Sequence, residues 1–138
     1  MSNKLIRAML EKRLKDWAAA RSPTIRVAYE GLPFDPGAGE TYLRSFVLPA
    51  TTGSEDLEGA HRRYEGVWQV SVITPSGDGA IVKALGIEDE LAALFTNNLK
   101  MTKSGFDIYI RSPMASSAPI VDSMNTTLPI SCRYRADT

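Results

Sequence analysis

The sequence predicts an α+β fold: one domain over residues 1–138, a mainly antiparallel sheet, and two helices packed on one face of it in the order α-β-β-β-α-β-β-β. Three observations predict this. Only two segments carry apolar residues at helical three- and four-residue spacing, whereas most of the rest alternates with period two. The alternating segments come in consecutive runs, which favours antiparallel neighbours over βαβ units. No repeat, low-complexity tract or linker divides the 138 residues, a length sufficient for one well-buried core.

The first helix is set by Leu5, Ile6, Met9, Leu10, Leu14 and Trp17, with Lys4, Arg7, Glu11, Lys12, Lys15 and Asp16 mostly on the other side. Ser2 or Asn3 can cap it, and Ser22-Pro23 ends it, because a residue before proline avoids the helical region. "TIRVAYE" alternates as a half-buried strand, and the Pro/Gly-rich "GLPFDPGAGET" reads as a loop. "YLRSFVLPA" is a second strand with large apolar residues on both faces, which suggests a central or interface position. A third strand runs from Tyr64 to about Thr74, with Tyr64, Gly66, Trp68, Val70 and Val72 on one face.

"PSGDG" breaks that strand, and a second helix covers Ala80 to Phe95. Gly86 within it costs about 1 kcal/mol of helix propensity and suggests close packing against another element or a local irregularity. Glu88, Asp89 and Glu90 are expected to be solvated. "LKMTKSGFDIYIRS" reads as a hairpin turning at Ser104-Gly105. Residues 113–123, "PMASSAPIVDS", look like the most flexible internal stretch. The last strand spans Thr126 to Arg135, where Pro129 argues for an edge strand or a bulge.

Composition excludes several function classes. Sixteen cationic residues against sixteen acidic ones leave no basic excess for generic nucleic-acid binding. One cysteine, Cys132, permits no intramolecular disulfide, and one cysteine with one histidine nearly excludes a Cys/His metal cluster. No run approaches the roughly 20 apolar residues of a membrane span. The N-terminus carries charges every few residues and does not read as a signal peptide, so a cytoplasmic protein, or one built into a particle in a cytoplasm, is expected. "SGDGA" and "PGAG" lack phosphate-loop spacing, and there is no GxSxG elbow. No cofactor or metal is expected.

The one stretch that invites a chemical reading is "HRRYEG". His61 could act as a general base with Glu55, Asp56, Glu58 or Glu65 nearby in sequence, in a small hydrolase or nuclease. Arg62 and Arg63 could fork onto a phosphate, although adjacent strand positions point to opposite faces. The third reading is a charged strand entry that faces solvent or another subunit. The residues alone leave these open.

Several segments together carry a resemblance over nearly the whole chain: "IRAMLEKRLKDWAAA", "VAYEGLPFDP", "YLRSFVLPA", "LEGAHRRYEGVWQVSV", "PSGDG", "DELAALF" and "YRADT". The chain resembles the small tail-terminator proteins of siphophages, related to the minor tail protein U of lambda-like phages. The resemblance implies a non-enzymatic virion protein assembled in the bacterial cytoplasm. It implies a homo-oligomeric ring, usually a hexamer, that caps the head-proximal end of the tail tube and stops its polymerisation. The implied partners are the tail tube protein and a head-completion or connector protein, with DNA only passing through the lumen. On this reading residues 31–41, 51–63 and 113–123 are the candidate contact loops. His61, Arg62, Arg63, Glu65, Asp35, Glu55 and Asp56 become candidate subunit or tube contacts. Another neck protein, such as a head-closure or tail-completion factor, is the alternative.

Overall fold

Alternating side chains from Arg63 to Pro75 and from Asn125 to Asp137 build two thirteen-residue strands, β3 and β8, paired antiparallel along their whole length. The computed structural model describes residues 3–50 and 62–137. The chain order is α1 (Asn3–Ala20), β1 (Arg26–Ala28), β2 (Tyr42–Pro49), β3, α2 (Ala80–Leu94), β4 (Lys100–Lys103), β5 (Phe106–Ile110), β6 (Ala115–Ser116), β7 (Ile120–Val121) and β8. The sheet runs β1-β2-β3-β8-β5-β4, with β6 and β7 also paired to β8. All pairings are antiparallel except that of β1 with β2, so the sheet is mixed, within the expected α+β class.

Period two sorts β8 cleanly and β3 as far as Val70, beyond which Ser71 and Ile73 on the helix-free side are buried as well. Trp68, Val70 and Val72 join Leu128, Ile130, Cys132, Tyr134 and Ala136 in the buried core. Leu43 and Val47 of β2, and Phe106, Ile108 and Ile110 of β5, extend the same face. Both helices cover it: α1 contributes Ile6, Met9, Leu10 and Leu14, and α2 contributes Ala84, Ile87 and Leu91. Trp68 is fully buried at the centre, edge-on to Phe95, so truncating it to alanine costs about 3–5 kcal/mol.

Five expectations need correction. Pro129 lies in an interior strand, because β8 is paired on both sides. Its carbonyl accepts from the Ser117 amide (2.9 Å), so its nitrogen also faces that side, at the break between β6 and β7 where no donor is required. Residues 113–123 are pinned by those two short strands, which are additional to the expected order. Gly86 is exposed and an added Cβ would meet nothing within 4 Å, so no close packing explains it. Glu90 is tied to α1 through a two-pronged pair with Arg21 (both N···O 2.9 Å), which joins the two helices. Glu88 is half-buried, so only Asp89 of the three acids is exposed.

Gly66 has a steric reason. A Cβ there would lie 2.5 Å from the Leu48 carbonyl oxygen, 2.6 Å from Tyr134 Oη and 2.9 Å from Pro49 Cα. Gly66 sits opposite both Pro49 and Tyr134, so its missing side chain lets the tyrosine fold across the strand.

The two glycines therefore predict opposite outcomes in urea unfolding. Gly66→Ala should destabilise by about 1–3 kcal/mol through overpacking. Gly86→Ala lies in a helix without a left-handed backbone, and should stabilise by up to about 1 kcal/mol.

Candidate functional site

The other face of the sheet has no helix over it, and its residues follow from the same alternation. On β3 these are Arg63, Glu65, Val67, Gln69 and Ser71, and on β8 they are Asp137, Arg135, Arg133, Ser131 and Pro129. Register aligns them into cross-strand rows. Arg63 lies opposite Asp137, which lies opposite Asp107 of β5. Glu65 lies opposite Arg135, which lies opposite Tyr109. Val67 lies opposite Arg133, whose carbonyl accepts from the Arg111 amide (2.8 Å).

The first two rows are balanced. Arg135 Nε reaches Asp137 Oδ2 at 3.1 Å, Arg63 Nε lies 4.0 Å from Glu65 Oε2, and Lys100 Nζ lies 3.6 Å from Asp107 Oδ2. The Lys100 pair offsets the repulsion of facing Asp137 and Asp107. The third row is not balanced. Arg111 stacks on the Tyr109 ring (5.9 Å to the centroid), and neither Arg111 nor Arg133 has a carboxylate partner among the described residues. Glu65, Val67, Arg111, Arg133 and Arg135 line a shallow open groove of about 450 Å³. Farther along this face Arg44 stacks over Tyr42 (5.6 Å), beside half-buried Phe46 and exposed Leu48.

Such a surface can pair with carboxylates or phosphates on another molecule. Cys132 lies on the opposite, core face, where burial pushes its thiol up to about 12 and leaves it a packed, unreactive group. Among the described residues, no group of three His, Cys, Asp or Glu side chains could hold a metal ion.

The sequence-derived candidates are divided by the structure. Arg63 and Glu65 share the helix-free face, as alternation requires if the strand starts early, while Tyr64 turns inward onto Phe106 (5.9 Å, 88°). Arg62 is exposed just before β3. Asp35 lies elsewhere, in the loop leading to the first residue of β2, which pairs with the far end of β3. That end is about 26 Å from Glu65 along an eight-residue strand interval. His61, Glu55 and Asp56 lie outside the described residues. Arg111, Arg133, Arg135, Asp107 and Asp137 were missed; the alternation in "CRYRAD" already places Arg133, Arg135 and Asp137 on one face.

The loop at residues 31–41 is organised around one ion pair. Arg26 grips Glu40 through Nε (2.7 Å) and Nη2 (2.6 Å), donates to the Asp35 carbonyl (3.0 Å), and stacks on Phe34 (4.6 Å). Glu40 Oε1 also accepts from the Gly37 amide (2.8 Å). The Arg26 guanidinium, then that amide, holds the Glu40 carboxyl down to about 2. A depressed carboxylate pKa adds stability above the ordinary value of 4.5, and that contribution is lost as pH falls towards 2. The Gly37 amide proton should therefore titrate in NMR with a midpoint near 2, and Glu40→Gln should abolish the titration. A midpoint near 4.5 would contradict the pairing.

A sequence profile for the phage tail terminator protein family matches residues 5–134. One solved structure is 45% identical, with a TM-score of 0.85, and the match covers 99% of this chain and 96% of that one. No curated protein matches. The profile spans both helices and nearly the whole sheet, including Arg111 and Arg133 but ending before Arg135 and Asp137, and so this chain belongs to the phage tail terminator protein family, a structural component of the virion tail.

Proposed function

We propose that this chain caps the head-proximal end of a phage tail tube as a closed homo-oligomeric ring. The cap stops tube polymerisation and presents a surface to the head-completion protein. What carries the reading is the helix-free sheet face of a tail-terminator family member, where two charge rows are balanced and the Arg111–Arg133 row is not. Adjacent like charges without a counter-charge repel one another in the free chain. They become favourable when a partner supplies carboxylates, which fits an assembly surface.

The ring is hexameric on this reading, as the family resemblance implies. Each copy repeats one head-to-tail contact, and closure keeps that contact from growing into a filament. Equal numbers of cationic and acidic residues suit a ring whose lumen lets DNA slide through without gripping it. Assembly takes place in the host cytoplasm, and the role is structural, not catalytic. Among the described residues, no helix is long and apolar enough to cross a membrane.

Electron microscopy of tails assembled with and without the chain tests the reading. Omission should give overlong or aberrant tails. Tails of normal length beside unjoined, leaking heads would instead assign it to head closure. Arg111→Glu with Arg133→Glu should leave thermal unfolding nearly unchanged, because both side chains are exposed and neither has a carboxylate partner among the described residues. The same pair of changes should reduce capping, measured as an increase in mean tail length.

A further inference from the structure

At one end of α2 the chain exposes an apolar knob. Ile81 and Val82 lie in its first turn, and Ile120, Val121 and Met124 lie in β7 and the turn that follows. Val82 is 72% exposed and Met124 76%. The Ser76 amide donates to the Met124 carbonyl (3.0 Å) and its hydroxyl to the Asp122 carbonyl (2.7 Å), which joins the two segments. Ile120 turns to the helix-free face beside Thr127, but Ile81, Val82, Val121 and Met124 remain on two joined segments and form a patch of the kind that marks an interaction site. The only charges in residues 76–82 and 120–124 are Asp78 and Asp122.

At the other end of α2 lies a matching groove. It runs between α1 and β4, has a volume of about 800 Å³, and is lined by Met9, Trp17, Leu94 and Met101. Its rim carries Lys12, Arg13, Lys100 and Lys103 against the single carboxylate of Asp16. Arg13 Nε is engaged by the Leu94 carbonyl (2.9 Å), and Lys103 has no carboxylate partner among the described residues. Knob and groove are both apolar at the centre; the knob carries Asp78 and Asp122 against Lys83, while on the groove rim Lys12 pairs with Asp16 (2.8 Å) and Lys100 with Asp107 (3.6 Å), which leaves Lys103 and an overall basic excess.

Resting on the ring reading above, we infer that the knob of one copy docks into the α1–β4 groove of the next copy. The fifteen residues of α2 separate the two surfaces by about 22 Å. Each copy can therefore offer its knob to one neighbour and its groove to another, the head-to-tail pairing that a ring requires. Opposite charge at the two rims fixes the orientation and disfavours knob-to-knob and groove-to-groove encounters.

A mixing experiment tests this contact. Val82→Asp with Met124→Asp breaks the knob. Both sites are exposed, and an acid in the first turn of α2 suits the helix dipole, so the fold is retained. Lys12→Glu with Lys103→Glu breaks the groove at exposed positions. Native mass spectrometry and sedimentation, at high concentration and with tail tubes present, should show each variant losing self-association by at least about tenfold, while thermal unfolding stays near that of the parent. Mixed together, the two variants should form a dimer of one copy each and nothing larger, because only one intact knob and one intact groove remain between them. Failure to form that dimer, or either variant closing rings like the parent, overturns the contact and leaves the ring reading standing. A knob variant that still closes rings but no longer holds tube ends would give the patch to the tube protein and also overturn it. A parent chain that never self-associates, even on tubes, removes both the ring and the contact.

Discussion

The thirteen-residue ladder between β3 and β8 is the constraint on which the other features depend. Four strands attach to it directly, β2 along the free side of β3 and β7, β6 and β5 in succession along the free side of β8, and β1 and β4 add on through β2 and β5. A slip of one residue in this register would turn Trp68, Val70, Val72, Leu128, Ile130 and Tyr134 out of the core and bring arginines and glutamate in. The hydrophobic pattern thus fixes the register, and the register fixes which charges face one another on the uncovered side.

The fold and the assembly surface are two consequences of the same alternation. The face that carries Trp68 is closed by both helices, which Arg21 and Glu90 tie to each other. The opposite face is left open, and there the ladder aligns Arg63 with Asp137, Glu65 with Arg135 and Val67 with Arg133. Because the strands are long, charges far apart in sequence become neighbours. Arg135 meets Glu65 through the β3–β8 pairing, and Asp107 and Arg111 join them only through the further pairing of β5 with β8. The Gly66 gap filled by Tyr134 shows how tightly these pairings are packed.

Much of this was legible from residue pattern. The α1 stripe, the inward face of β3 and the α2 span follow from periodicity, because burial of one face leaves a period in the sequence. The split of Arg63 from Tyr64 was legible for the same reason. Pro129 was misread, since proline marks only a missing donor and does not say whether a neighbouring strand has a gap opposite it. Gly86 was misread because a glycine in a helix can reflect either close packing or no constraint at all. The order in residues 113–123 was hidden because two-residue strands are too short to show alternation, and they exist only by pairing with β8.

By itself the sequence determined the class of fold, the core face of β3, the absence of a basic excess, and the resemblance that led to the tail-terminator family. These are properties of local pattern and composition, which survive without knowledge of neighbours. Tertiary structure alone decided that β8 is interior, that Asp35 and Glu65 stand at opposite ends of the sheet, and that Arg111 and Arg133 form a row without counter-charge. It also placed the apolar knob and the basic-rimmed groove at opposite ends of α2. The physical reason is that strand pairing and helix packing bring together residues separated by many positions, and a linear pattern encodes which face a side chain takes but not which distant side chain it meets.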